Sequence, residues 1–177
     1  MRFTEFLRTS VLLFAGAATA LAAVAIAGAR SGDDRTLIYV SVGWWTLAAG
    51  AGLWLGRRPE TSHGIGRLLA QARHSPILPE QEPGRTIINR LWPLIIATAA
   101  AAAIAFLVPQ VPAIGAGYAL LMALAWRRQA RAVAAIEDRD GVRFYVERTG
   151  PLKPVQLVRT PWMRRIEPTD DRIGALP

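Results

Sequence analysis

The chain has 177 residues, 52% of them hydrophobic, and carries a formal net charge of +8 with no cysteine. It is too apolar for an ordinary small soluble domain, and its basic excess points to apolar spans with basic flanks. The missing thiols exclude disulfides, thiolate metal sites and cysteine nucleophiles, and leave the redox compartment unread.

Four uncharged stretches come in chain order: residues 11–29, 37–56, 91–108 and 111–126. About 20 residues at 1.5 Å each cross a hydrocarbon core of about 30 Å, so the first three are long enough and the fourth is borderline. The first is longer than the apolar core of a signal peptide and is followed at once by charges and another span, so it reads as a retained helix. None of the four has the polar face that a helix of a soluble bundle needs. The expected fold is therefore an α-helical membrane protein: a four-span region over 1–126, a loop at 57–90, then a helix extension and β-hairpin over 127–167, and a disordered tail over 168–177.

Basic residues set the expected orientation. Arg2 and Arg8 precede the first span, six arginines fill the 57–90 loop, and eleven basic residues follow Trp126, against only Arg30 and Arg35 between the first two spans. Nineteen against two places both termini and the long loop in the cytoplasm. The opposite side receives two short turns, so function is expected within the bilayer or on the cytoplasmic face.

The spans carry no ionisable side chain, which argues against an autonomous ion-coupled carrier. Their hydroxyls, Thr19, Ser41, Thr46 and Thr98 among them, can bond back to the helix backbone. Small residues point to packing instead: Ala48, Gly52 and Gly56 repeat every four positions, a groove for a neighbouring helix of the same chain or of a second copy. Trp44 and Trp45 sit too deep for the headgroup belt and read as packing residues.

In the loop, Thr61-Ser62 is a plausible cap for a short helix over 63–73, with Ile65, Leu68, Leu69 and Ala72 on one face. That pattern suits a helix lying on the inner leaflet, with Arg67 and Arg73, like Arg127 and Arg128 beyond the fourth span, facing anionic headgroups. Residues 75–84 read as an extended link. His63 and His74 are eleven apart and have no companion ligands, so no metal or other cofactor is expected.

Past Trp126, helix-forming residues extend the fourth span by two or three turns, until the Asp138 to Gly141 stretch stops it. Val142, Phe144 and Val146 then alternate with Arg143, Tyr145 and Glu147, and residues 155–159 return as a second strand. Two strands are marginal alone. The apolar face, Val142, Phe144, Val146 and Leu157, is expected either to dock a partner protein or to cap the chain's own helices. Glu137, Asp138, Asp140 and Glu147 alternate with arginines, and pairing at a solvated surface accounts for them without catalysis. Phosphate-loop, HExxH and GxSxG signatures are absent.

The string EDRDGVRFYVERTGPLKPVQLVRTPW resembles the C-terminal signature of small multi-span actinobacterial membrane proteins of unknown function. The resemblance covers about the last quarter of the chain and implies an inner-membrane location, with no catalytic residues to transfer. The expectation is a non-enzymatic accessory or scaffolding protein, in contact with bilayer lipids and not nucleic acid, free to associate with copies of itself. A small lipid-modifying enzyme, or a subunit of an oligomeric channel or transporter, is the alternative.

Overall fold

A computed structural model of the protein describes residues 1–31, 35–57, 61–74, 83–147 and 155–161. The proposed tail and most of the 75–84 link and hairpin turn lie outside the described residues. In chain order the elements are α1 (Phe3–Ser31), α2 (Arg35–Leu55), α3 (His63–Ala70), β1 (Arg73–His74), α4 (Pro83–Ile104), α5 (Gln110–Trp126), α6 (Gln129–Asp140), β2 (Val142–Val146) and β3 (Leu157–Pro161).

Three helices are long and apolar enough to cross a membrane: α1, α2 and the Ile87–Ile104 part of α4. The fourth apolar helix, α5, is 17 residues long. It is nevertheless the hub, because α1 and α2 pack along it and α4 lies against α1 and α5. Close approach is possible because the meeting residues are small: Ala17, Ala18, Ala25 and Ala29 on α1, and Ala113, Ala116, Ala119 and Ala123 on α5, are buried.

Of the two neighbours expected for the small-residue repeat along the α2 seam, the same chain supplies the one seen, α5. Ala48 is 1% exposed, and a Cβ built on Gly52 would stand 2.9 Å from the Leu121 carbonyl oxygen. Gly56 meets the Leu124 carbonyl more closely still. These glycines are used up by α5. Trp44 and Trp45 also belong to this seam: their indole N–H groups donate to the Ile114 and Ala113 carbonyls of α5 at 3.3 and 2.8 Å, and Trp44 meets the Tyr118 ring edge-on. Thr19, Ser41, Thr46 and Thr98 each donate to the carbonyl four residues back.

At one end of the bundle sits a folded cap. Its core comprises Met1, Phe3, Phe6 and Leu7 of the N-terminal segment, Ile65 of α3, Ala130 and Val133 of α6, and Val142, Phe144, Val146 and Leu157 of the sheet. The helix α1 thus begins eight residues before the apolar stretch of the sequence, and its first two turns belong to the cap.

The hairpin is also larger than two strands. The sheet order is β1-β3-β2, with β2 antiparallel to β3 and the short β1 parallel to it. On the far edge of β2, Arg2 bridges Tyr145, and the Val146 N–H donates to the Met1 carbonyl at 3.0 Å. Both edges of the hairpin therefore acquire partners from distant parts of the chain, which resolves the marginality of an isolated hairpin.

Candidate functional site

The cap is the region where distant polar groups converge, and α6 organises it. The helix does not continue α5: Arg127 and Arg128 form a turn, and α6 restarts at Gln129. Along α6, Ala130, Val133 and Glu137, spaced three and four apart, lie on one buried stripe. Gln129, also buried, accepts a hydrogen bond from the Ser62 N–H at 3.0 Å and so holds the start of α3. The Ser62 hydroxyl makes no capping bond itself. Gly141 ends α6 in the left-handed region at φ 63°, where a side chain would be strained, and turns the chain into β2.

Glu137 is 1% exposed. Its Oε1 accepts the Phe144 backbone N–H at 2.9 Å, and its Oε2 accepts from Arg2 Nη2 at 3.2 Å and from Arg143 Nη1 at 3.3 Å. One carboxylate thereby ties the N-terminal segment, α6 and β2. Charge-assisted bonds of this kind offset the desolvation of the buried carboxylate. This corrects the solvated-surface reading of Glu137. Helical spacing from Val133 carried the signal for burial, whereas nothing in the sequence brings Arg2, 135 positions away, to its side. The solvated reading does describe the neighbours: Asp140 pairs with Arg139 at 2.8 Å on the surface, and the exposed Asp138 lies 3.8 Å from Arg143. The Arg139 hydrogen bond holds the Asp140 carboxyl below its usual range.

Of the two roles expected for the hairpin's apolar face, docking a partner or capping the chain's own helices, the packing agrees with the second: Val142, Phe144, Val146 and Leu157 are only 3 to 6% exposed and packed with the chain's own N-terminal segment and α3. The leaflet expectation for α3 is corrected. The helix α3 turns its apolar face, Ile65 with Leu68 and Leu69, onto the same core, so that face is not free to lie in a leaflet. The four arginines assigned to headgroups, Arg67, Arg73, Arg127 and Arg128, are all exposed. Arg128 also donates to the Arg57 carbonyl at 3.2 Å, joining the end of α2 to the start of α6. Among the described residues, no three His, Asp or Glu side chains converge as a metal site would require. The chain matches no protein-family model, no curated protein and no solved structure.

Proposed function

We propose that the protein is a four-span protein of a bacterial inner membrane, with both ends and the middle loop cytoplasmic, and that its cap is an accessory or scaffolding platform for a partner protein. The observation that carries this reading is the composition of the cap. It draws on the N-terminal segment, on α3 and β1 from the middle loop, and on α6, β2 and β3. Segments that fold together lie on one side of a membrane, so the pairs α1/α2 and α4/α5 each leave the cap and return to it. That parity makes α5 the fourth crossing. At about 26 Å it is a few ångströms short of the hydrocarbon thickness, a mismatch that local thinning of the bilayer accommodates at small cost.

The orientation follows from the basic residues, nineteen of them on the cap side. Among the described residues of that side, Arg8, Arg57, Arg67, Arg73, Arg127, Arg128, Arg131 and Arg139 are exposed, eight cations against the three exposed carboxylates Glu5, Asp138 and Asp140. Arg127 and Arg128 directly follow α5 and meet anionic headgroups; the remaining excess suits an acidic surface on a partner. With the hairpin's apolar face spent internally, the docking surface is electrostatic.

Reporter fusions test the topology: alkaline phosphatase should be active at Asp34 and inactive at Glu80 and Pro177, with a green fluorescent reporter giving the inverse. The platform is tested by crosslinking and affinity isolation of wild type beside Arg67→Glu with Arg131→Glu. The double variant should retain the protease resistance of the cap and lose the proteins recovered with wild type. Identical recovery from both removes the platform reading.

A further inference from the structure

Toward the end of the bundle away from the cap, residues of α1 and α2 line a common slot. These consecutive helices pack on α5 far more than on each other, and between their outer halves lies an open slot of about 180 Å³. Ala25 and Ala29 are one turn apart on α1 and each 2% exposed; their small side chains give the slot its depth. Ile26, Ile38 and Val42 complete its apolar wall, with Trp45 at its inner level and Arg30 at the outer end of α1.

The polar atoms of the lining are already committed. The Ser41 hydroxyl donates to the Leu37 carbonyl at 2.6 Å, and the Trp45 N–H donates to Ala113. Neither of these interior donors is therefore available to a polar ligand. An open slot with apolar walls is a better fit for hydrocarbon than for a polar ligand. Among the described lining residues the charged group is Arg30, whose exposed guanidinium lies at the outer end of α1. An apolar slot with a cation at its mouth matches an amphiphile with an apolar tail and an anionic head.

We infer that this slot holds one acyl chain of an anionic phospholipid, whose headgroup phosphate meets Arg30. The inference rests on α1 and α2 crossing the bilayer, as proposed above, and adds a defined lipid to it. The lipid fills the gap that the α1/α2 pair does not close by itself, and so completes the packing of the hairpin.

The test uses the full chain in phosphatidylcholine nanodiscs carrying a minor fraction of phosphatidylglycerol with a photoactivatable group on its acyl chain. Mass spectrometry of the labelled protein should find label on Ala25, Ile26, Ala29 and Val42 above the level at Leu47 and Ile95, which are 70% and 51% exposed on the bundle's outer surface. Arg30→Gln should reduce slot labelling about fivefold, the ratio given by one headgroup-facing cation, and leave Leu47 and Ile95 unchanged. The same label carried on phosphatidylcholine should respond little to Arg30→Gln. Ala29→Phe, which fills the slot, should abolish slot labelling with either lipid. If Ala29→Phe fails to fold, the surface change Arg30→Gln decides alone. Slot labelling equal to that at Leu47, or unaffected by Arg30→Gln, overturns the inference while leaving the spans in place; absence of label at Leu47 and Ile95 as well overturns the membrane reading with it.

Discussion

In the helical bundle the large apolar side chains face outward and the small ones inward, and in the cap that order is reversed. Leu12, Leu47, Trp54, Ile95, Ile96 and Phe106 are exposed on the bundle, whose buried positions are mainly alanine and glycine with a few larger residues such as Leu21 and Leu37. The cap buries Phe3, Phe6, Leu7, Val133 and Phe144 and turns arginines outward. The difference follows from the solvent. Where lipid surrounds a helix, moving leucine from lipid to protein gains nothing, so association depends on close van der Waals approach by small residues. Where water surrounds the fold, burial of large apolar area is the driving term. The change occurs within one helix: α1 buries Phe6 and Leu7 in the cap and, from Ala17 onward, mainly alanine against α5.

Phe144→Asp should separate the two regions most sharply. Phe144 is 3% exposed in the cap core, and truncating such a residue costs about 3 to 5 kcal/mol before the burial of a carboxylate is added. The cap should unfold while the spans, whose insertion depends on their apolar length, stay inserted. On the proposed orientation, trypsin added to inside-out vesicles should then cut at Arg67 and Arg73, with helix content by circular dichroism largely retained. Loss of membrane insertion would mean that bundle and cap fold as one unit.

Glu137→Ala should come next, at about 3 kcal/mol, the low end of the cost of breaking a buried ion pair, because Arg2 and Arg143 remain partly solvated. It strands the Phe144 N–H and leaves two cations facing each other. Glu137→Gln, which keeps an acceptor, should lose less. Thermal unfolding followed by cap proteolysis measures both, and a cycle with Arg2→Ala measures the coupling between the N-terminal segment and α6.

Gly52→Leu tests the other region. Its side chain would enter the Leu121 backbone, which cannot yield as a flexible side chain would, and overpacking of this kind costs about 1 to 3 kcal/mol. The melting temperature in detergent should fall with cap proteolysis at low temperature unchanged. Increased proteolysis of the cap at low temperature would show that bundle packing and cap order are coupled.

The two regions were unequally legible in the sequence, for a physical reason. Hydropathy is local, so the three long apolar helices, the hydroxyl back-bonds and the glycine seam could be read from short windows. The strands were also local, since Val142, Phe144 and Val146 alternate. What escaped were particular partners that arrive from far along the chain: Met1 and Arg2 on the edge of β2, the two-residue β1 beside β3, and Arg2 on Glu137. The hairpin's need for a cover was evident from its size, but the identity of the cover depended on contacts between the N-terminal segment, the middle loop and the C-terminal part. The break at Arg127 and Arg128 was hidden because helix propensity there is high and tertiary packing overrode it.

Asp140→Asn should have the smallest effect, and it asks whether surface charge contributes to the order of the cap at all. Asp140 and Glu137 stand one turn apart on the same helix, each paired with arginine. Asp140, however, is solvated and its partner Arg139 adjoins it in sequence, so part of that pairing survives in the unfolded chain. The hydrogen bond from Arg139 depresses the Asp140 carboxyl. A carboxyl lowered by folding stabilises the fold above its unfolded pKa, and the contribution is lost as pH falls through the depressed value. Here the solvated pair makes that contribution too small to move the melting temperature measurably. Carbon-13 titration of the carboxyl should show the depressed midpoint, and Arg139→Gln should return it toward the ordinary range with the cap's protease resistance intact. A clear loss of cap stability in Asp140→Asn would mean that surface pairs share the role assigned to Glu137 and the apolar core.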